Sequence, residues 1–387
     1  MVLLIVDIFF YFVITVLENR IVILEKIYKN KTILITGHTG FKGSWLSLWL
    51  HSLGANVVGL SNGIPSQPSN YSASKIDDVV HTNNIDIRDY ESVKKLVINT
   101  EPDFIFHLAA QSLVRPSYDN PLDTISTNLI GTANILESVK LLNKNAVVVM
   151  ITSDKAYDNV EWVWGYRETD RLGGKDPYSA SKGMAELAIR SYTESFFNTS
   201  DSHITLGVAR AGNVIGGGDW AKDRIVPDCM SAWSKGDIVE IRNPNATRPW
   251  QHVLEPLSGY LILGANLHKN KKNHGEAYNF GPSANQNYPV SELIEKMASS
   301  WDKVRWKDTS KKHKHLHEAG LLKLNCDKAM LDLNWEPTLQ FDNTVKMTID
   351  WYKRFYDKDS NSMFEFTLLQ IEEYVNFAKS QNKFWAI

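Results

Sequence analysis

The chain has only two cysteines, Cys229 and Cys326, and neither stands in a C-x-x-C pair. That excludes a disulfide framework and a cysteine-built metal site, and makes a reducing, cytoplasmic setting the simpler expectation. An excess of one charge is lacking too, since 42 basic and 44 acidic side chains leave a net −2. Without a basic field, nothing draws the chain to a phosphate backbone, so no nucleic-acid partner is expected. Nor does any apolar run reach the roughly 20 residues that cross a bilayer. The longest, residues 1–17, carries Asp7 and is followed at once by Glu18 and Arg20. It has neither the basic lead nor the small-residue exit of a secretory signal. It reads as an added helix or an extension from an upstream start codon rather than a membrane anchor, and residues 1–28 are set aside from the fold. Repeats and low-complexity tracts are also missing. What remains is the composition of a globular protein of one large or two modest domains.

From Lys31 onward, short β-branched runs alternate with longer apolar-faced segments. Strands are expected at residues 32–36, 56–60, 84–87, 103–108, 146–152 and 203–208. Helices are expected at 43–53, 90–99, 124–142 and 178–197. Strands separated by helices of 10–20 residues imply βαβ units and a parallel sheet covered on both faces. Right-handed crossovers make this a doubly wound α/β fold. Past residue 213 the alternation fades into glycine- and proline-marked loops, with apolar segments at 257–263, 290–297 and 345–355. The expected division is a nucleotide-binding domain over 29–212 and a smaller mixed α/β region over 213–387. The latter binds substrate over the carboxyl edge of the sheet, and part of 245–272 packs back on the first domain.

Gly37-His38-Thr39-Gly40-Phe41-Lys42-Gly43 joins the first strand to the first helix. Glycines there let the backbone approach a diphosphate, and the helix N-terminus offers N–H groups and partial positive charge. The acid that often holds the adenosine ribose about 20 residues on is missing, because the second strand ends in Ser61-Asn62. NAD and NADP are therefore not distinguished at this position. Asp86-Ile87-Arg88 is the alternative adenine flank, or simply a helix-start acid with a surface arginine. Tyr178 and Lys182, four apart at the start of a helix, share a face. An ammonium beside a phenol favours its phenolate, a usable base. Thr152-Ser153-Asp154-Lys155 brings hydroxyl, carboxyl and amine to the carboxyl edge of the sheet, where open α/β sheets bind ligands.

Taken together, these motifs resemble the extended short-chain dehydrogenase/reductase superfamily, with a Rossmann-like fold. Within it, residues 36–50, 152–168, 176–186, 209–220, 247–253 and 317–329 resemble the CDP-glucose 4,6-dehydratases. The resemblance implies an NAD-dependent lyase acting on CDP-glucose, and a homo-oligomer. Tyr178 would take the proton of the sugar 4-hydroxyl while C4 is oxidised. Lys182 would hold the nicotinamide ribose and lower the tyrosine pKa, and Ser153 would bind the 4-oxygen. Asp154 would protonate the departing 6-hydroxyl. Lys155 stands where related dTDP-glucose dehydratases have a glutamate base, which leaves the C5 base open. A neutral lysine there needs burial or a neighbouring cation. The resemblance assigns the cofactor groove to Gly37, Gly40, Phe41, Gly43, Asp86, Ile87, Ala109 and Gln111, alongside Tyr178 and Lys182. It assigns substrate contacts to Asn213 and to Arg248, whose fork suits a diphosphate. The His313, His315, His317 and Glu318 run is read as a solvated basic loop, and no metal is expected. An epimerase or reductase on the same scaffold, or a non-catalytic NAD-binding protein, are the competing readings. Asp154 speaks against the first and the intact Tyr178/Lys182 pair against the second.

Overall fold

The computed structural model describes residues 23–301, 304–310, 321–357 and 362–387. The alternation seen in the sequence becomes a sheet of seven strands, β1 (Thr32–Thr36), β2 (Asn56–Ser61), β3 (His81–Asn84), β4 (Phe104–His107), β5 (Ala146–Ile151), β6 (Ile204–Ala211) and β7 (Ala277–Phe280). All neighbours run parallel, in the order β7-β6-β5-β4-β1-β2-β3. Strand order reverses between β1 and β4, which opens a crevice at their carboxyl ends.

Because successive strand residues face opposite sides, the apolar runs feed two cores. Leu34, Ile105, Val148 and Met150 point to one face. There they meet α3 (Tyr90–Thr100), α4 (Gly131–Val139) and α5 (Pro177–Tyr192). Ile33, Ile35, Phe104, Phe106, Val147 and Val149 point to the other. That face is covered by α2 (Phe41–Ser52) and α6 (Leu254–Lys269), with α7 (Phe341–Tyr356) and α8 (Met363–Ser380) beyond. α6 lies on β5 and β6, and β7, from well past residue 213, joins the sheet beside β6.

The structure corrects two expectations. The third strand is His81–Asn84 rather than 84–87. An Asp86 oxygen accepts the Arg88 N–H at 2.9 Å, and this local bond turns the chain where the sequence read as extended. Nor does the fold begin at Lys31. A helix α1 (Ile23–Tyr28) buries Leu24, Ile27 and Tyr28. The Tyr28 hydroxyl donates to the Leu261 carbonyl at 2.6 Å, and its ring lies 4.8 Å from that of Phe104. The apolar run 1–17 lies outside the described residues. Deleting residues 1–28 therefore removes part of the core. Tyr28→Ala should destabilise the fold by about 3–5 kcal/mol, as other buried aromatic truncations do. A melting temperature unchanged from wild type would show that α1 contributes nothing.

Among the described residues, no helix is long and apolar enough to cross a membrane. No group of three or more His, Cys, Asp or Glu among them is placed to hold a metal ion. The His313–Glu318 run lies outside the described residues.

Candidate active site

Gly37 follows β1 with φ +75°, a backbone state that costs a side chain-bearing residue and not glycine. A Cβ on Gly37 would lie 2.8 Å from the Ala109 backbone at the end of β4, and one on Gly43 would lie 2.1 Å from the Gly37 carbonyl oxygen. The loop is a cradle that a side chain would fill. α2 starts directly at Phe41, behind Gly40, with no side-chain cap, so the first-turn N–H groups have no side-chain acceptor. This donor set fits a dinucleotide diphosphate.

Asp86 follows β3, beside the end of β2. Its carboxylate accepts from Arg88 Nη2 at 2.6 Å and from Asn62 Nδ2, at the end of β2, at 3.3 Å. The hydrogen bonds from Arg88 hold it down to about 2. Arg88 also reaches Asp123 at 2.5 Å. Its charge is answered twice within the protein, which suits a ribose hydroxyl there better than a 2′-phosphate. Ile87 packs under Gly131, where a Cβ would come within 2.4 Å of it. Ala109 donates its N–H to Thr36 Oγ1 at 3.1 Å. The Gln111 side chain is committed to its own loop, with Nε2 on the Leu113 carbonyl and Thr124 Oγ1, both at 2.9 Å. Gln111 thus shapes the crevice instead of reaching into it. Asn128, unforeseen from sequence, accepts from the Gln111 N–H at 2.8 Å and donates to Ser181 Oγ at 2.8 Å. It ties the end of β4 to α5.

The catalytic candidates gather at the end of β5 and the start of α5. Ser153 caps a single turn over Asp154–Ala156, accepting the Lys155 N–H at 3.2 Å and donating to Asp154 Oδ1 at 2.9 Å. Asp154 is buried, and Gly212 lies against it: a Cβ there would be 3.2 Å from Oδ2. Burial raises the Asp154 carboxyl above its ordinary range, against the pull of Lys155, Ser153 and Lys42. Such a carboxyl holds its proton to a higher pH than an exposed one, which suits it to act as an acid. Tyr178 opens α5 behind Pro177 and the cap Asp176, which accepts the Ser179 N–H at 2.9 Å. Burial pushes Tyr178 up to about 12, and the bond with Ser153 works the other way.

A second cation faces the tyrosine: the charge of Arg224 favours the Tyr178 phenolate, and burial brings Lys182 down to about 8. Arg224 is held by Asp219 at 2.7 Å. Lys42, inside the glycine motif, also faces the centre. Its amine donates to the Tyr260 hydroxyl at 3.4 Å. Burial lowers it to about 8, and the charge of Asp154 opposes that. Sequence reasoning passed over both. Their signal was a cation in a motif that needs only small residues, and another just after the Gly216-Gly217-Gly218 loop. Asn213 directly follows Gly212, the residue that lies against Asp154. Arg248 lies on a separate two-stranded ribbon opposite Tyr288, with its guanidinium on the Thr247 carbonyl at 2.8 Å.

A glycine cradle at a β1/β4 switch point, with serine, tyrosine and lysine on the ends of β5 and α5, defines the extended short-chain dehydrogenase/reductase class. Residues 34–348 match the family model described as GDP-mannose 4,6 dehydratase, and the chain belongs to that family. It is 45% identical, over 85% of its length and 92% of the relative's, to a CDP-glucose 4,6-dehydratase of Salmonella typhimurium. Among solved structures, it resembles a dTDP-glucose 4,6-dehydratase of Streptomyces venezuelae with NAD bound, with TM-score 0.68 and 22% identity over 83% of this chain and 97% of that one. It likewise resembles a UDP-glucose 4-epimerase of Thermotoga maritima, with TM-score 0.71 and 22% identity over 84% and 100%. At these identities, the two structures speak for the fold.

Proposed function

We propose that the protein is an NAD-dependent lyase that converts CDP-glucose to CDP-4-dehydro-6-deoxyglucose. The observation that carries the reading is Asp154, a buried carboxyl with a raised pKa, bonded to Ser153 at the same strand end that Tyr178 faces. An epimerase has no use for an acid that expels water. The 45% identity to a CDP-glucose 4,6-dehydratase supports both the reaction and the nucleotide.

The glycine cradle fits NAD. When bound, NAD would supply a two-electron acceptor for C4, a hydride donor for C6 and a positive charge near Tyr178, whose phenolate Ser153 and Arg224 also favour. Tyr178 takes the proton of the 4-hydroxyl, and Ser153 steadies the 4-oxygen. The 4-keto group acidifies the C5 proton, and Lys155, next in the chain to Asp154, is the candidate to receive and later restore it. Asp154 gives its proton to the 6-hydroxyl, which leaves as water. The proton gained by Tyr178 makes good the one lost by Asp154, so the protein ends as it began. Gly37, Gly40, Phe41, Gly43, Ala109 and Asp86-Ile87 line the cofactor groove, while Asn213 and Arg248 hold the sugar nucleotide. The same reading expects a cytoplasmic homo-oligomer.

Incubation with CDP-glucose and NAD should yield a 4-keto sugar, seen by its alkaline absorbance, with no accumulation of free NADH. Stoichiometric NADH release would overturn the dehydratase reading. Equal kcat/KM for CDP-glucose and dTDP-glucose would overturn the nucleotide assignment alone.

A further inference from the structure

Lys182 is buried on the inner face of α5. Removing an ammonium from water is costly unless an opposite charge answers it. Among the described residues, no ion pair or hydrogen bond takes up its amine. Other elements offer it no anion either. His107, on β4, is fixed between Thr36 and Thr132 at 2.8 and 3.0 Å, and its protonated form is disfavoured by burial and then by Lys182. Lys42, on α2, is disfavoured by Lys182 in the same way. On its own helix, Tyr178 lies one turn back and Glu186 one turn on. Glu186 is the charge that favours the Lys182 ammonium against the burial that lowers it.

Glu186 is itself 4% exposed and fully engaged. Arg210 of β6 grips it as a fork, Nε to Oε1 and Nη2 to Oε2, both at 2.8 Å. Thr152, the residue before Ser153, donates to Oε1 at 2.5 Å. Arg210 has further partners in the Tyr157 hydroxyl at 2.7 Å and the Glu168 carbonyl at 3.1 Å. Tyr157 in turn donates to Asn279 of β7 at 2.8 Å. Glu186 therefore stands at a fixed point between β5, β6 and α5, and the first and last of these carry the catalytic candidates. A buried ion pair adds little stability over apolar residues of similar volume, so stability alone gives this one little reason to exist. Its place one turn from Lys182 does.

We propose that Glu186, held by Arg210 and Thr152, is a positioning residue of the active site that supplies the buried counter-charge keeping Lys182 an ammonium. The proposal rests on the reading above only in taking Lys182, one turn after Tyr178, as a residue of the active site. The charge relation holds whatever the substrate.

The test reads Lys182 directly. Trace acetylation across a pH series, followed by peptide mass spectrometry, gives the titration midpoint of Lys182 in the full chain without substrate. Glu186→Gln keeps the shape and most of the hydrogen bonds but removes the charge. The Lys182 midpoint should fall by about one pH unit, a tenfold loss of proton affinity, and Glu186→Asp should hold it near the wild-type value. In single turnovers with CDP-glucose and NAD, the alkaline limb of C4 oxidation should move down with it. The rate should recover toward wild type as the pH is lowered. An unmoved midpoint, or a rate depressed equally at every pH, would mean that the pair is only structural. Should Glu186→Gln fail to fold, the double variant Glu186→Gln/Arg210→Met removes the guanidinium that would otherwise lose its partner, and a fall in the Lys182 midpoint is expected there too. If wild-type protein fails to oxidise CDP-glucose while the midpoint shifts as described, the reaction assignment falls and this proposal stands.

Discussion

Tyr178→Phe should lower oxidation at C4 by about 10³–10⁴-fold, the upper part of the range for a positioned base, and no later step should be seen. The variant keeps the ring, its burial and the Asp176 cap of α5, so the fold and cofactor binding should survive. What it removes is the oxygen that Ser153 and Arg224 act on. In a single turnover with CDP-glucose, no absorbance of reduced nicotinamide should appear. A variant that still reduces its cofactor within tenfold of the wild-type rate would move the base elsewhere, and Lys42 would be the first group to examine.

Asp154→Asn should separate the steps. The amide fills the same space beside Gly212 and can still accept from Ser153, but it has no proton to give a leaving hydroxyl. Oxidation at C4 should persist while loss of water slows by about 10²–10⁴-fold. The protein should then stall with its cofactor reduced and bound. The sign of the pH dependence follows from the raised carboxyl. Wild-type elimination requires Asp154 protonated, so it should be fastest on the acid side and fade as pH rises through the elevated pKa. In Asp154→Asn that limb should be missing. Normal turnover, or loss of oxidation as complete as in Tyr178→Phe, would contradict the division of labour.

Much of this was legible in the sequence because it rests on local pattern. Strands buried on both faces give continuous apolar runs such as residues 146–151, and the glycine cradle lies between one such run and a helix. The Ser153, Asp154, Tyr178 and Lys182 cluster could be placed because parallel strands bring their carboxyl ends to one edge. Contacts set by distant segments could not be read. Lys42 faces Asp154 because α2 lies beside a helix more than 200 residues on, where Tyr260 receives its amine. Arg210 looked like an ordinary residue near a strand end, yet it is buried against Glu186. β7 is too short, and its Tyr278-Asn279 too polar, to announce a sheet strand. Tyr28 sits at the end of an apolar tract that resembled an appendage, and nothing local shows that its hydroxyl reaches Leu261. The influence of Arg224 on Tyr178 had no local signal either.

The central claim is that the hydrogen removed from C4 returns to the same sugar at C6 with no net change in the cofactor. CDP-glucose carrying deuterium at C4 tests it most directly, with the product analysed by NMR and mass spectrometry. The account predicts one deuterium at C6 per molecule of 4-keto-6-deoxy product, and none in solvent or in free reduced cofactor. Deuterium lost to water or recovered in released NADH would contradict it.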